Sequence, residues 1–349
     1  MSDAHILLTA LESRLSQETG RPVQARDLRP LAGGASQEIW QFDLMVADDH
    51  WQGARPLVLR WQQGGKIQAS ALDLAGEYTV LQAAYAAAAP VPRPYWYWPE
   101  LLGRQALLME RVNGETIGRR IVTRPELAAA RTQLPHQLGT ALAAIHAIPY
   151  RNTPLQTLLP GPAAGQTPAQ FRLAQLTAEL DRLGEPHPAL ELGLRWLRRR
   201  EPEPPAHLVV LHGDFRIGNV VVNQAGLVSV LDWEFSHLGD PAEDLAWPLL
   251  RAWRFGLDHL RFGGLSEPEP FWQAYEAAGG RPVDPTRVFY WEVMGNVAWA
   301  VGALNQAHRH LSGQQPSLEL ASLGRKCAEM ELELLTLIQP PYARPPDRQ

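Results

Sequence analysis

Cysteine is almost missing from this chain: Cys327 is the only one in 349 residues. A single thiol excludes an intrachain disulfide and any zinc site built from cysteines. It suits a reducing compartment, so the expected location is cytoplasmic and the expected thiol buried and inert. A basic stripe is missing too. The 32 Lys and Arg and 37 Asp and Glu are spread evenly, with a formal net charge of -5, which argues against a nucleic-acid partner. The N-terminal MSDAHILLTALESRL carries Asp3 and Glu12 and has no basic start leading into an apolar block, so it reads as an amphipathic helix rather than a signal peptide. The most apolar stretch, FYWEVMGNVAWAVGAL, is broken by Glu292 and Asn296 and is too short to span a bilayer, so no membrane partner is expected. No internal repeat is visible.

What is present is enough for two lobes: 45% of the residues are hydrophobic, as in an ordinary globular protein. From Leu31 to Arg60 the pattern is β-like, with Trp40, Phe42, Leu44 and Val46 alternating with less apolar neighbours and PLVLRW repeating the signal after a turn. Ser70 with Asp73 resembles a capping box, and Leu74, Tyr78, Leu81 and Tyr85 recur at helical spacing, which predicts a helix from about Ser70 to Ala88. Prolines at 90, 92 and 94 end it. QALLMERVNGE reads as a further strand leaving through a turn at Asn113 and Gly114. Beyond that turn the chain becomes mainly helical, with a buried helical face in ALAAIHAI and an exposed connection in REPEPPAH. The expected plan is α+β and two-lobed: a small β-rich N-lobe over 1–111, a larger helical C-lobe over 112–340, and a disordered tail over 341–349.

Chemistry concentrates in HLVVLHGDFRIGNVVVNQAGLVSVLDWEFSHLGDPAEDLAW. An apolar run from Leu208 to Leu211 delivers HGD into a loop. Val220 to Val222 and Leu227 to Leu231 then flank the turn Asn223 to Gly226, a β-hairpin signal. Counting register from Val222 opposite Leu227 pairs Asn219 with Val230 and leaves Asp232 two residues further on the same face, about 7 Å from Asn219. An amide oxygen and a carboxylate so placed can share a magnesium ion, and Asp214 at the hairpin's mouth can orient a hydroxyl and accept its proton. In GDPAEDLAW, Asp240 reads as an N-cap, with Pro241 at the first helical position and Glu243 in the first turn.

HGDFRIGN resembles the catalytic loop of the aminoglycoside phosphotransferase-like family, and LDWEF resembles the segment equivalent to the DFG of protein kinases. The likeness runs from about Leu31 to Trp299. It implies a protein-kinase-like fold that clamps a nucleotide between lobes and moves its γ-phosphate to a small-molecule hydroxyl with Mg2+, taking ATP or GTP as donor. The implied roles are catalytic base for Asp214, magnesium ligands for Asn219 and Asp232, loop shaping for His212 and a brace under the loop for Asp244. In LAGGASQEIW, Gly33, Gly34 and Ser36 would cover phosphates with backbone N–H groups. Arg60 stands where kinases place the lysine that contacts phosphates, with Glu77 as its ion-pair partner. Met109, Glu110, Arg111 and Val112 would form the hinge that meets the adenine. Arginine in VLR resembles the subgroup related to kinase-like domains fused to acyl-CoA dehydrogenases, and a guanidinium can bind phosphate bidentately.

Two acceptor classes stay open, a hydroxyacyl or acyl-CoA-like molecule and an antibiotic such as an aminoglycoside or macrolide. Trp247, Trp253, Trp272, Trp291 and Trp299 would line an apolar acceptor site or simply fill core. Glu243, Glu267, Glu269, Glu276 and Glu292 would serve a cationic acceptor or a charged surface equally. A different class, a nucleotide-binding pseudokinase acting as an interaction module, is favoured only by the arginine at position 60. A two-metal phosphohydrolase fails on ligand count. The chain is expected to act as a monomer or homodimer.

Overall fold

Leu7, Leu11 and Leu15 recur at four-residue spacing, which stacks them on one face of α1 (Asp3–Thr19), where all three are fully buried. They lie against a sheet whose strands are β1 (Val23–Leu31), β2 (Glu38–Val46) and β3 (Ala54–Gln62), continued after helix α2 (Leu74–Ala86) by β4 (Pro94–Leu101) and β5 (Arg104–Glu110). Every pairing is antiparallel and the order is β1-β2-β3-β5-β4. The computed structural model describes residues 3–31, 38–46, 54–62 and 71–339. The expectations for Gly33, Gly34, Ser36, Ser70 and the 341–349 tail lie outside those residues.

The two-residue alternation of a strand decides what each face of this sheet carries. Leu57, Leu59 and Trp61 join Ala106 and Leu108 on the α1 side, while Leu107 and Met109 of β5 pack with α2 and the helical lobe. Arg60, out of phase with its apolar neighbours, therefore faces the α2 side. Asp73 caps α2 itself, accepting a hydrogen bond from the Gly76 amide at 2.9 Å. Strand β4 departs from the sequence pattern, in which its prolines signal only a break. Pro94 opens the strand, where a missing N–H costs little, and Trp98 fills the core behind it.

The remaining chain runs through α3 (Gly118–Thr123), α4 (Ala128–His146), α5 (Leu155–Leu158), α6 (Pro168–Leu183) and α7 (Pro188–Arg199). It then forms β6 (Val209–Leu211), a hairpin of β7 (Val220–Asn223) and β8 (Gly226–Val230), and β9 (His237–Gly239). Helices α8 (Pro241–Ala246), α9 (Glu269–Ala277), α10 (Pro285–Leu311), α11 (Leu318–Gly324) and α12 (Lys326–Ile338) complete it. The apolar stretch around Trp291 belongs to α10, the helix at the centre of this lobe, and Glu292 within it is ion-paired with Arg261 at 2.7 Å. No described helix is long and apolar enough to cross a membrane. Cys327 is buried, and that burial pushes its thiol up to about 12.

The hairpin corrects the counted register. Val222 faces Leu227, but a bulge with Val228 as the extra residue shifts the rest, so that Val220, not Asn219, faces Val230. A bulge adds one residue to one strand and re-aims the residues beyond it. Asn219 instead ends a 3₁₀ turn (Ile217–Asn219), and its carbonyl accepts the Leu231 N–H at 2.8 Å.

Candidate active site

Strand β6 is three buried apolar residues paired with β9, and it ends by handing His212, Gly213 and Asp214 to a loop. The loop's shape is held from below. Asp244 on α8 accepts the His212 N–H at 2.7 Å and the Gly213 N–H at 2.9 Å, and it contacts His146 Nε2 at 3.2 Å. Burial pushes the Asp244 carboxyl up, but the hydrogen bond and charge of His146 outweigh it and hold the group below the usual carboxylate range. Gly213 has φ +80, and a Cβ there would lie 2.2 Å from the Phe235 carbonyl, so both conformation and space demand glycine.

His212 is fully buried and fixed in one tautomer by its partners. Nδ1 accepts the Asp214 N–H at 3.2 Å, which leaves Nε2 as the donor to the Leu231 carbonyl at 2.9 Å. Burial keeps the imidazole below its ordinary 6.5. One side chain thus ties the loop to the end of β8, just before Asp232.

Among the described residues, the Asp214 carboxylate accepts from three donors. Oδ1 takes the Arg216 Nε at 3.0 Å and the Trp247 Nε1 at 2.6 Å, and Oδ2 takes the Asn219 Nδ2 at 2.6 Å. With its nitrogen committed to Asp214, the Asn219 amide keeps its oxygen for another partner. Asp232 has φ +67, a left-handed conformation that aspartate tolerates better than most residues, and it lines the same cavity as Asp214. An amide oxygen and a carboxylate are hard donors of the kind magnesium takes, so this donor set fits that ion.

Arg60 and Glu77 meet as expected, in a bidentate pair: Nη2 lies 3.1 Å from Oε1, and Nη1 bonds Oε2. Both are buried. Burial alone would pull the guanidinium down, but the charges of Glu77 and Asp232 outweigh it and hold it up. Lys66 and Lys326 are the only lysines in the chain, so arginine is this protein's general choice of cation. Glu234, two residues after Asp232, is a buried carboxyl that burial, followed by the charge of Asp232, pushes up to about 8.

A cavity of about 520 Å³ opens at this point, with Asp214, Asp232 and Glu234 on one side and Phe171, Trp247, Trp253 and Trp299 around them. Arg60, Glu77, Glu110 and Val112 do not line it. At the end of β5, Glu110 is exposed, its N–H bonds the Arg93 carbonyl at 2.9 Å, and Val112 is half-buried. Trp291 is core, bonded through Nε1 to Asp240, whereas Trp247, Trp253 and Trp299 are cavity wall. Asp240 caps α8 through the Ala242 N–H. Sequence reasoning misses Arg216, Glu234 and the Trp247 bond to Asp214; the first two lie inside HGDFRIGN and LDWEF, where the neighbouring acids carry the stronger signal.

A five-stranded antiparallel sheet backed by helices, joined to a helical lobe that presents an HGD loop and a left-handed aspartate, defines a protein-kinase-like fold of the phosphotransferase type. The chain belongs to the phosphotransferase enzyme family, whose sequence profile matches residues 27–288. Acyl-CoA dehydrogenase family member 11 of Gallus gallus is 28% identical over 233 residues, 65% of this chain and 28% of that protein. The chain thus spans little more than a quarter of that relative's length. A Ralstonia eutropha protein described as a candidate aminoglycoside phosphotransferase superposes with TM-score 0.68 at 21% identity, covering 94% of this chain and 97% of that one. A mutant of the aminoglycoside phosphotransferase APH(4)-Ia, in ternary complex with AMP-PNP and hygromycin B, gives 0.62 at 18%, covering 93% and 98%. At these identities both likenesses establish the fold. The resemblance read from HGDFRIGN and LDWEF is borne out.

Proposed function

We propose that this protein is a small-molecule kinase that moves the γ-phosphate of ATP or GTP to an acceptor hydroxyl. The observation that carries the reading is the Asp214 carboxylate, held by Trp247, Arg216 and Asn219 at the wall of a cavity shared with Asp232. In this reading residues 1–111 cover the nucleotide and 112–340 carry the chemistry. Glu110 to Val112 meet the base, and Gly33, Gly34, Ser36 and the Arg60–Glu77 pair serve the phosphates. Asn219 and Asp232 would hold Mg2+, which when bound neutralises charge on the phosphates.

Asp214 receives the acceptor hydroxyl as a hydrogen-bond donor and aims its oxygen at the γ-phosphorus. As the new P–O bond forms and the bond to the nucleoside diphosphate breaks, the hydroxyl proton passes to Asp214. The acceptor enters along Trp253, Trp299 and Phe171, an apolar wall suited to a hydroxyacyl chain, in keeping with the similarity to acyl-CoA dehydrogenase family member 11. Rotational freedom of that chain is lost on binding, and large rigid rings are the side chains that offset this at least cost.

The test is the thermal unfolding of the full chain with ATP and with GTP, each with and without Mg2+. A ligand at 100 times its Kd adds about 2.7 kcal/mol, so a magnesium-dependent rise is expected with at least one nucleotide. No rise with either would sink the reading. A rise without transfer to any hydroxylated acceptor would favour a nucleotide-binding pseudokinase, the alternative that Arg60 in place of lysine invites.

A further inference from the structure

Arg216 lies two residues after the candidate base, and two contacts hold its side chain while a glycine leaves it room. Its Nε donates to Asp214 Oδ1 at 3.0 Å. Its guanidinium lies 4.4 Å from the ring centroid of Trp253, a stacking contact that leaves the edge of the group open for hydrogen bonds. Its Nη1 passes so close to residue 218 that a Cβ there would lie 2.0 Å away, so Gly218 leaves room for this path and a larger residue would make the guanidinium shift. The backbone helps: Arg216 is extended, and its carbonyl accepts the Asn219 N–H at 2.9 Å as the 3₁₀ turn begins.

The charges around it give this placement a purpose. Asp214 and Asp232 both line the cavity, and a phosphoryl group arriving there brings more negative charge into a confined space. Among the described residues two other arginines line the cavity, and both have partners elsewhere. Arg172 is ion-paired with Glu243 at 2.9 Å, and Arg309 bonds the carboxamides of Gln306 and Gln315. Arg216 is the cavity-lining arginine whose ion pair, among the described residues, is with Asp214 itself. A guanidinium has five N–H donors, and one bond from Nε leaves the terminal pair. A hydroxyl bound to Asp214 would put its attacking oxygen, and hence the equatorial phosphoryl oxygens, beside those donors.

We infer that Arg216 is a catalytic residue that bridges the base and the phosphoryl group in flight, pairing with its equatorial oxygens as charge accumulates there. This rests on the phosphotransferase reading and adds a residue to it. The Trp253 ring backs the guanidinium in this position.

The experiment uses the full chain with ADP and Mg2+, with and without aluminium fluoride, which stands in for the planar phosphoryl group, and measures affinity by calorimetry. In the wild type, aluminium fluoride is expected to tighten the complex. Arg216→Gln should bind ADP with Mg2+ as before and lose about 10-fold or more of the aluminium fluoride increment, the effect of one charge-assisted hydrogen bond or more. Arg216→Lys, which keeps the charge without the planar fork, should lose less; if the glutamine variant does not fold, the lysine variant decides the matter. An increment that survives in the variant, or is absent from the wild type while ADP with Mg2+ still binds, overturns the role of Arg216. A wild type that does not bind ADP with Mg2+ overturns the phosphotransferase reading and the inference with it.

Discussion

Asp214 illustrates how much a single carboxylate depends on its donors. Two of the three come from its own loop, Arg216 and Asn219, and one from Trp247, far along the chain on another element. Asp214→Asn keeps the size but removes the proton acceptor, so nucleotide binding should persist while transfer falls by about 100-fold or more. Transfer at the wild-type rate in that variant would show the base assignment to be wrong. His212 supports a prediction of a different kind. Its buried imidazole titrates below its ordinary 6.5, so the unfolded chain takes up a proton at a higher pH than the native one does. Stability contributed by the neutral ring is therefore full above about 6.5 and is lost as pH falls from there toward the lowered native value. Melting temperature followed from pH 8 to pH 5 should decline more steeply in the wild type than in His212→Asn. Parallel curves would mean that His212 does not set the slope.

Among the elements, β3 and α2 are joined by the most consequential pair. Alternation along PLVLRW sends Leu57, Leu59 and Trp61 to α1 and Arg60 to α2, and the helical turn after the Asp73 cap brings Glu77 to meet it. Glu77→Ala would leave a buried guanidinium without its bidentate partner, a change that typically costs about 3–5 kcal/mol. Chemical denaturation should show a lowered midpoint of that size, and a loss under about 1 kcal/mol would mean that water or another group takes over the charge. The hairpin teaches the opposite lesson about counting. A single bulged residue, Val228, moves Asn219 off the predicted pairing, yet Asn219 still reaches Asp214, because the 3₁₀ turn and not the strand register aims it.

Across the whole molecule, the features legible in the sequence are those that depend on local pattern or on a contiguous motif. Leu7, Leu11 and Leu15 announce a helix with one buried face, the alternation in β2 and β3 announces half-buried strands, and HGDFRIGN with LDWEF announces the family, since each needs only neighbours along the chain. What stays hidden needs partners far apart in sequence. The bond from Trp247 to Asp214, the stacking of Arg216 on Trp253, the brace of Asp244 under His212 and Gly213, and the sorting of the tryptophans into cavity wall and core all join residues that only packing brings together. Strand β4 falls between these cases: its aromatics are visible in the sequence, but its prolines signal a break, and only the open position at the start of the strand shows why Pro94 is tolerated. Local conformational preference is written in a few adjacent side chains. The shape and charge of a cavity are sums over distant ones, so the chain could declare its family and its candidate site residues in one dimension while the company those residues keep had to wait for three.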